Sequence, residues 1–202
     1  MNSFLRQIQW IEQNFIEIKV SSEVVLDLKY STTDNFMQAD VYEGFHRCFM
    51  APVAAKMFFR ACEELKRNHP DLQFHIWDSL RPRSIQAQFY DRLKGTPFQN
   101  YVAAPQPGSL HNFGMAVDLT LQTRDGELLD MGTGFDDFRD LAQPKLERQF
   151  LASGALTAAQ YENRILLRKL LETQGFKVLE HEWWHFNALP KDQVFGKHPI
   201  LE

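Results

Sequence analysis

Apolar side chains recur at every third or fourth position in four stretches of the chain, and this spacing is typical of amphipathic helices. Proline at an early helical position and glycine just after the last turn mark the ends of several stretches. Thr157 and Gln160 form a capping-box sequence at the start of the last one. The predicted helices run from Ser3 to Phe15, from Pro52 to before Pro70, from Pro82 to before Gly95, and from Thr157 to about Thr173.

Alternation of period two predicts a strand from Gly114 to Leu121, and the two faces of this strand differ sharply. Its apolar side chains, among them Val117 and Leu119, belong in the core. The opposite face carries small and acidic residues, including Ala116 and Asp118, and leaves room above it. Further strands are predicted at Val24–Tyr30, Leu72–Asp78, Glu127–Leu129, Phe176–Leu179 and Trp183–Asn187.

The order of these elements predicts the fold class. Helices come first and short strands joined by turns follow, without an internal repeat or an interdomain linker. We expect an α+β fold, a single domain in which helices flank a mostly antiparallel central sheet with a functional site on one face. The domain is expected to span residues 1–202, with residues 1–20 as a candidate N-terminal helical extension. The loop from Thr96 to Gly108 is expected to border a substrate pocket.

Composition and charge argue against several classes of function. A net charge of -4 argues against nucleic acid as the main partner, since a basic face is normally required. The N-terminus lacks the pattern of a secretory signal, and no apolar run is long enough to span a bilayer. Cys48 and Cys62 are too few for a disulfide framework. We therefore expect a cytoplasmic protein without a membrane partner.

Two polar clusters carry the candidate chemistry, one within Ser109–Asp118 and the other within Glu180–His185. Together they offer imidazoles and carboxylates, which are the ligands of a catalytic zinc. Such a zinc takes three protein ligands and lowers the pKa of a bound water to about 7. A nearby glutamate can then act as general base. The two clusters predict a zinc peptidase.

The zinc can be placed in two ways. In the first, residues 181–185 form an H-E-x-x-H motif, in which His181 and His185 bind the metal one helical turn apart. This motif needs a helix, whereas the aromatic and β-branched residues around it favour a strand. The third ligand that accompanies the motif in known zinc peptidases also has no counterpart in the residues that follow.

In the second placement the ligands are His111, Asp118 and His185. Glu182 is then the base. Strict alternation would put His111 and Asp118 on opposite faces of a strand, so the chain must turn near Gly114. Glu182 and His185 need a bend between them for the same reason. Two neutral nitrogens and one carboxylate leave the site with a charge of about +1 and an open position, which suits hydrolysis.

The pattern S-x-H-x-x-G-x-A-x-D in the first cluster, with E-x-W-H in the second, is similar to the signature of the D-Ala-D-Ala metallopeptidases. Further segments narrow the resemblance to the vancomycin-resistance-type D-alanyl-D-alanine dipeptidases. These segments are Lys29–Phe36, Trp77–Pro82 and Met131–Asp136. All of them keep the family's order from about Val24 to Asn187. His181 and Leu80 depart from the residues usual in the family, but neither belongs to the ligand set of the second placement.

The resemblance implies zinc-dependent hydrolysis of D-Ala-D-Ala to two D-alanines, with one zinc per chain, and it selects the second placement. It implies the following roles: His111, Asp118 and His185 bind zinc, Glu182 is the catalytic base, Arg81 stabilises the oxyanion, and Ser109 and Asp136 bind the free ammonium of the dipeptide. No definite role is assigned to Tyr30 or Asp34.

Two other functions remain open. A D,D-carboxypeptidase or endopeptidase would act on larger peptidoglycan peptides of the cell wall. A non-enzymatic zinc-binding module would bind a ligand without catalysing a reaction. Glu182 and Arg81 argue against the module, because a structural zinc needs neither a base nor an oxyanion partner. Ser109 and Asp136 favour the dipeptidase, so that the expected partner is a small dipeptide substrate.

Overall fold

The structure is a computed structural model and describes residues 3–202. The helices are α1 Ser3–Asn14, α2 Pro52–Asn68, α3 Arg83–Leu93, α4 Glu147–Ser153, α5 Ala158–Glu172 and α6 Lys191–Val194. The strands are β1 Ile16–Ile18, β2 Val24–Leu26, β3 Cys48–Met50, β4 Leu72–Asp78, β5 Ala116–Thr123, β6 Lys177–Leu179 and β7 Glu182–Asn187. None of these helices has both the length and the apolar character needed to cross a membrane.

Five strands form the central sheet, in the order β2-β4-β5-β7-β6. β2 runs parallel to β4, and each of the other neighbouring pairs is antiparallel. β1 and β3 pair separately as a two-stranded antiparallel ribbon. The predicted α+β fold, with helices flanking a mostly antiparallel sheet, is confirmed.

The hydrophobic core lies between the sheet and the helices. α2 packs against β4 and α5, and its Phe58 and Leu65 are fully buried. α1 contributes Phe4 and Ile11 to the same buried cluster. Each such side chain stabilises the fold by about 1.5–3 kcal/mol relative to leaving it exposed. The polar face of β5 is also covered, because Asp118 is only 3% exposed.

The predicted strand Val24–Tyr30 is wrong beyond Leu26. Lys29–Ser31 instead form a short 3₁₀ turn. Asn35 Nδ2 donates a hydrogen bond to the first carbonyl of that turn at 2.9 Å, and local side-chain bonds of this kind compete with strand pairing. The turn buries Tyr30 inside the protein.

The predicted strand Glu127–Leu129 is reduced to a single bridge between Leu128 and Gln122. The sequence patterns also miss the ribbon of β1 and β3 and the helix α4. β1 and β3 are three residues long and pair across a long stretch of chain, so no local periodicity marks them.

A bulge in β7 affects the second polar cluster. Phe186 lies opposite Val178 of β6, whereas Glu182 lies opposite the next residue, Leu179. The residues between Glu182 and Phe186 therefore bulge away from β6. This is the bend expected between Glu182 and His185.

Candidate active site

His111 is held by a short 3₁₀ turn, Leu110–Phe113, that precedes β5. Ser109 caps this turn, because its hydroxyl accepts the backbone N–H of His111 at 3.3 Å. Gly114 follows with φ +62°, and a Cβ there would lie 2.7 Å from a neighbouring backbone nitrogen, so that glycine alone fits. The turn expected near Gly114 is present, and it brings His111 to the same side of the sheet as Asp118.

Asp118 and His185 lie side by side in neighbouring strands. They are direct partners in the pairing of β5 with β7. On the other side of Asp118, a shift in register at Trp77 of β4 sets Asp78 opposite it. The sheet therefore fixes the positions of two candidate ligands through backbone pairing.

The candidate ligand atoms converge on one point. His111 Nε2 lies 3.3 Å from Asp118 Oδ2 and 3.2 Å from His185 Nδ1. His185 Nδ1 lies 3.0 Å from Asp118 Oδ1. Within the described part of the chain, these three buried side chains form a group whose ligand atoms all lie within 4.8 Å of one another.

The outer nitrogen of each imidazole is hydrogen-bonded to an oxygen. His111 Nδ1 lies 2.6 Å from the carbonyl oxygen of Ser79, and His185 Nε2 lies 2.8 Å from Asn187 Oδ1. Because these oxygens accept, the outer nitrogens carry the hydrogen, and the inner nitrogens of neutral imidazoles present lone pairs. Asp118 Oδ1 accepts no hydrogen bond from any residue in 3–202. Two lone pairs and a carboxylate that face one another in a buried site fit a metal cation.

The electrostatics of Asp118 agree with this fit. Burial alone would raise the pKa of Asp118, but in the metal-free protein the positive charge and hydrogen bonds of His111 and His185 outweigh burial and hold the pKa below its ordinary value. The carboxyl group is therefore ionised, as a metal ligand must be.

Glu182 lies beside the three candidate ligands, and its Oε2 is 3.7 Å from His185 Nδ1. Burial raises the pKa of Glu182 to about 8. The charges of Asp118 and Asp136 act in the same direction, whereas His185 and Arg81 oppose the shift. A carboxyl group with a pKa near neutrality can both take up and return a proton during a reaction.

Arg81 is a buried and fixed cation. Its Nε donates to Asp78 Oδ2 at 2.9 Å, and its Nη1 donates to Gln86 Oε1 at 2.9 Å. The guanidinium carbon lies 5.2 Å and 4.7 Å from the ring centres of Tyr30 and Phe89. Nη2 lies 3.7 Å from a carboxylate oxygen of the candidate ligand group. The positive charge is thus held next to the point where the ligand atoms converge.

Asp136 is held by Tyr30, whose hydroxyl donates to both carboxylate oxygens at 3.0 and 3.1 Å. Burial raises the pKa of Asp136 to about 7, and the charge of Asp118 adds to the shift. Asp136 has φ +56°, a left-handed conformation that costs a residue with a side chain about 1 kcal/mol or more. The fold thus holds this carboxyl group in place against a backbone cost.

One cleft of about 100 Å³ brings all seven sequence-predicted site residues together. They are Arg81, Ser109, His111, Asp118, Asp136, Glu182 and His185. His181 is not part of this lining; it lies in the turn before β7, with Nδ1 3.1 Å from Lys145 Nζ. Because residues 182–187 form a strand, the helical H-E-x-x-H placement does not apply.

The sequence patterns missed several residues that complete the cleft. Asn187 follows His185 by two residues in a strand, and residues at that spacing lie on the same face, so its position beside the imidazole could have been predicted. Gln86 bonds to Arg81 through a contact that only the folded chain creates, whereas Asp78, three residues before Arg81, is a partner that the sequence already suggests. Lys191 lines the cleft because of the turn after β7, for which the sequence gives no signal.

The chain is similar to known proteins over most of its length. A sequence model of the Peptidase_M15 family, described as D-ala-D-ala dipeptidase, matches residues 13–199. The D-alanyl-D-alanine dipeptidase of Escherichia coli (strain K12) is 31% identical over 179 residues, which cover 89% of this chain and 84% of that protein. The protein of the same name from Enterococcus faecalis (strain ATCC 700802 / V583) is 29% identical over 184 residues, covering 81% and 85%. The one from Enterococcus faecium is 31% identical over 181 residues, covering 79% and 83%.

The fold, the cleft and these matches define an enzyme of the peptidase class. The chain belongs to the Peptidase_M15 family of D-Ala-D-Ala dipeptidases, which is a family of metallopeptidases. The resemblance drawn from the ordered sequence segments is thereby confirmed.

Proposed function

We propose that this peptidase hydrolyses the dipeptide D-Ala-D-Ala to two D-alanines, and that it uses one zinc ion per chain. The observation that carries the proposal is the convergence of His111, Asp118 and His185 on a point beside Glu182 and Arg81. The names of the similar proteins supply the substrate.

His111 Nε2, Asp118 and His185 Nδ1 would hold the zinc. A zinc ion bound there supplies Lewis-acid chemistry, which polarises a carbonyl group and lowers the pKa of a water molecule to about 7. The hydrogen bonds from His111 to Ser79 and from His185 to Asn187 keep the inner nitrogens free for this role.

Glu182 is the proposed general base. It takes a proton from the attacking water and then gives that proton to the nitrogen of the leaving D-alanine. Its burial beside anionic neighbours keeps its proton affinity in the range that both transfers need. Arg81 is the proposed oxyanion partner, since Asp78, Gln86 and the flanking rings hold its charge still while negative charge develops on the scissile oxygen.

Asp136 and Ser109 are the proposed sites for the ammonium of the substrate. Asp136 offers a carboxylate whose orientation is set by Tyr30, and Ser109 offers a hydroxyl oxygen at the start of the turn that carries His111. An ammonium fixed next to the reacting carbonyl limits the peptide on that side to one residue. The arrangement therefore supports a dipeptidase over an enzyme for longer wall peptides.

The test is release of D-alanine from D-Ala-D-Ala by purified, zinc-loaded protein, run beside Glu182→Ala and beside N-acetyl-D-Ala-D-Ala. We expect wild-type turnover, a loss of about 10²–10⁴-fold in kcat for Glu182→Ala with zinc still bound, and poor hydrolysis of the acetylated peptide. Equal hydrolysis of the acetylated peptide would contradict the ammonium site and indicate a carboxypeptidase. Wild-type turnover by Glu182→Ala would contradict the base.

A further inference from the structure

We propose that Lys191 binds the C-terminal carboxylate of the dipeptide and so determines specificity for a free carboxyl end. The assignment rests on the proposed function and adds a residue that the sequence patterns did not reveal. The ammonium of the zwitterionic substrate would then pair with the carboxylate of Asp136, and its carboxylate would pair with the ammonium of Lys191.

A substrate carboxylate that lies beside the acidic side chains of the cleft would be stabilised by a cationic group. Asp118, Asp136 and Glu182 all line the cleft. A dipeptide brings its own carboxylate into this acidic surrounding, where like charges repel one another. An unpaired carboxylate would therefore bind poorly unless a positively charged group faced it.

Two cationic side chains line the cleft, Arg81 and Lys191. Arg81 donates through Nε and Nη2 to Asp78 and through Nη1 to Gln86, and it is the proposed partner of the oxyanion. The ammonium of Lys191, by contrast, makes no hydrogen bond or ion pair with any residue in 3–202. Its side chain is exposed at the edge of the cleft. Lys191 is thus the cation in this lining that is free to bind an incoming carboxylate.

The backbone of Lys191 is held in place although its side chain is free. Its carbonyl oxygen accepts the N–H of Phe195 at 2.9 Å, and Val194 in the same short helix is fully buried. α6 also packs against the 3₁₀ turn Leu110–Phe113, which carries His111. The side chain of Lys191 therefore begins at a fixed backbone position in the lining of the cleft.

The experiment compares two substrates that differ only at the carboxyl end, D-Ala-D-Ala and its C-terminal amide. We expect Lys191→Met to raise KM for D-Ala-D-Ala about tenfold with kcat nearly unchanged, since the lost contact is made equally in ground state and transition state. For the amide the same substitution should change KM less than about twofold, because the amide has no charge to lose. Lys191→Arg should restore most of the affinity for D-Ala-D-Ala.

Lys197→Met is the matched control, because Lys197 is an exposed lysine of the same C-terminal segment whose Nζ donates to the Asp192 carbonyl and which does not line the cleft. It should leave KM for both substrates unchanged. Equal effects of Lys191→Met on both substrates, or no effect on either, would overturn the assignment to Lys191 alone. If the wild-type protein released no D-alanine from either substrate, the proposed function and this assignment would both be wrong.

Discussion

Two imidazole clusters along β5 differ in one respect, which is whether their polar atoms already have partners. The convergent cluster consists of His111, Asp118 and His185, and its inner atoms face one another across 3.0–3.3 Å with a buried Asp118 oxygen left without a hydrogen bond. The His75 network lies farther along β5, where that strand pairs with β4, and contains Asp27, His75 and Gln122. There, His75 Nδ1 lies 2.5 Å from Gln122 Oε1 and Nε2 lies 3.1 Å from Asp27 Oδ2.

This difference in hydrogen-bond partners distinguishes a candidate metal site, the convergent cluster, from a structural network, the His75 network. In the His75 network, each ring nitrogen lies within hydrogen-bond distance of a protein oxygen, so the network does not need a cation to complete it. In the convergent cluster, the outer nitrogens bond to oxygens, whereas the inner ones face one another and Asp118, an arrangement that a cation would complete. An imidazole is thus a candidate ligand because of its unoccupied atom, and its burial alone does not make it one.

The largest expected effect concerns a comparison of two buried arginines. Arg81→Lys keeps a positive charge in the cleft but loses the planar fork, and we expect kcat for D-Ala-D-Ala to fall about 10²–10³-fold. Arg164→Lys is the control, because Arg164 is buried on α5 and binds the Met131 carbonyl oxygen outside the cleft lining. It should lower stability while kcat changes less than about threefold. Equal losses of kcat in both variants would show that Arg81 acts through packing alone.

The next effect concerns stability of the metal-free protein. The pKa of Glu182 is raised from 4.5 to about 8, so the folded state binds the proton more tightly than the unfolded state. Stability therefore falls as pH rises from about 4.5 to about 8, and Glu182→Gln removes this loss. We expect the variant to exceed wild type by a few kcal/mol at pH 8 and by little at pH 5. Urea unfolding in the presence of a chelator measures it.

Glu180→Gln is the control for that experiment, since Glu180 is an exposed carboxylate two residues away. Its stability should follow wild type at both pH values. A Glu182→Gln protein that is less stable than wild type at pH 8 would contradict the view that the convergent cluster is electrostatically incomplete.

A prediction with a smaller expected effect tests whether the hydrogen bond to the outer nitrogen of His185 orients that ring for zinc binding. Asn187 Oδ1 accepts the Nε2 hydrogen of His185, so Asn187→Leu should release the ring and weaken zinc binding about 10–100-fold. Competition with a chromophoric chelator measures the affinity. Asn187→Asp, which keeps the acceptor, should retain affinity at least equal to wild type. Unchanged affinity in Asn187→Leu would show that the ring is held by packing.

Some of the elements that position these residues could be predicted from the sequence alone, and others could not. The helices α1, α2, α3 and α5 and the strands β5 and β7 followed from local periodicity. The turn at Gly114 and the bend before His185 followed from the need to put the candidate ligands on one face. The early end of β2 and the ribbon of β1 and β3 did not, because they depend on side-chain bonds and on pairing between distant segments.

The site itself shows the same division. The seven residues found through motifs all line the cleft. The Ser79 carbonyl and the Gln86 amide, which hold His111 and Arg81, could not be predicted, because a carbonyl or amide acquires such a role only in the folded chain. Lys191 was missed for a similar reason, since its position depends on the turn after β7.

The smallest expected effect comes from the His75 network. His75→Leu leaves Asp27 and Gln122 without their shared partner, and we expect a loss of about 1–2 kcal/mol in the free energy of unfolding. This sign is opposite to that for Glu182→Gln, because here a completed network is broken. Activity on D-Ala-D-Ala should stay within about twofold of wild type at saturating zinc. A large loss of activity would indicate that the two clusters are coupled.

The measurement that tests the central claim most directly is zinc content after metal-free protein is loaded and desalted, for wild type, His185→Ala and His75→Ala. If the unpartnered atoms of the convergent cluster make the metal site, wild type and His75→Ala retain about one zinc per chain, whereas His185→Ala retains almost none. Retention of zinc by His185→Ala at the wild-type level, or its loss in His75→Ala, would contradict the account.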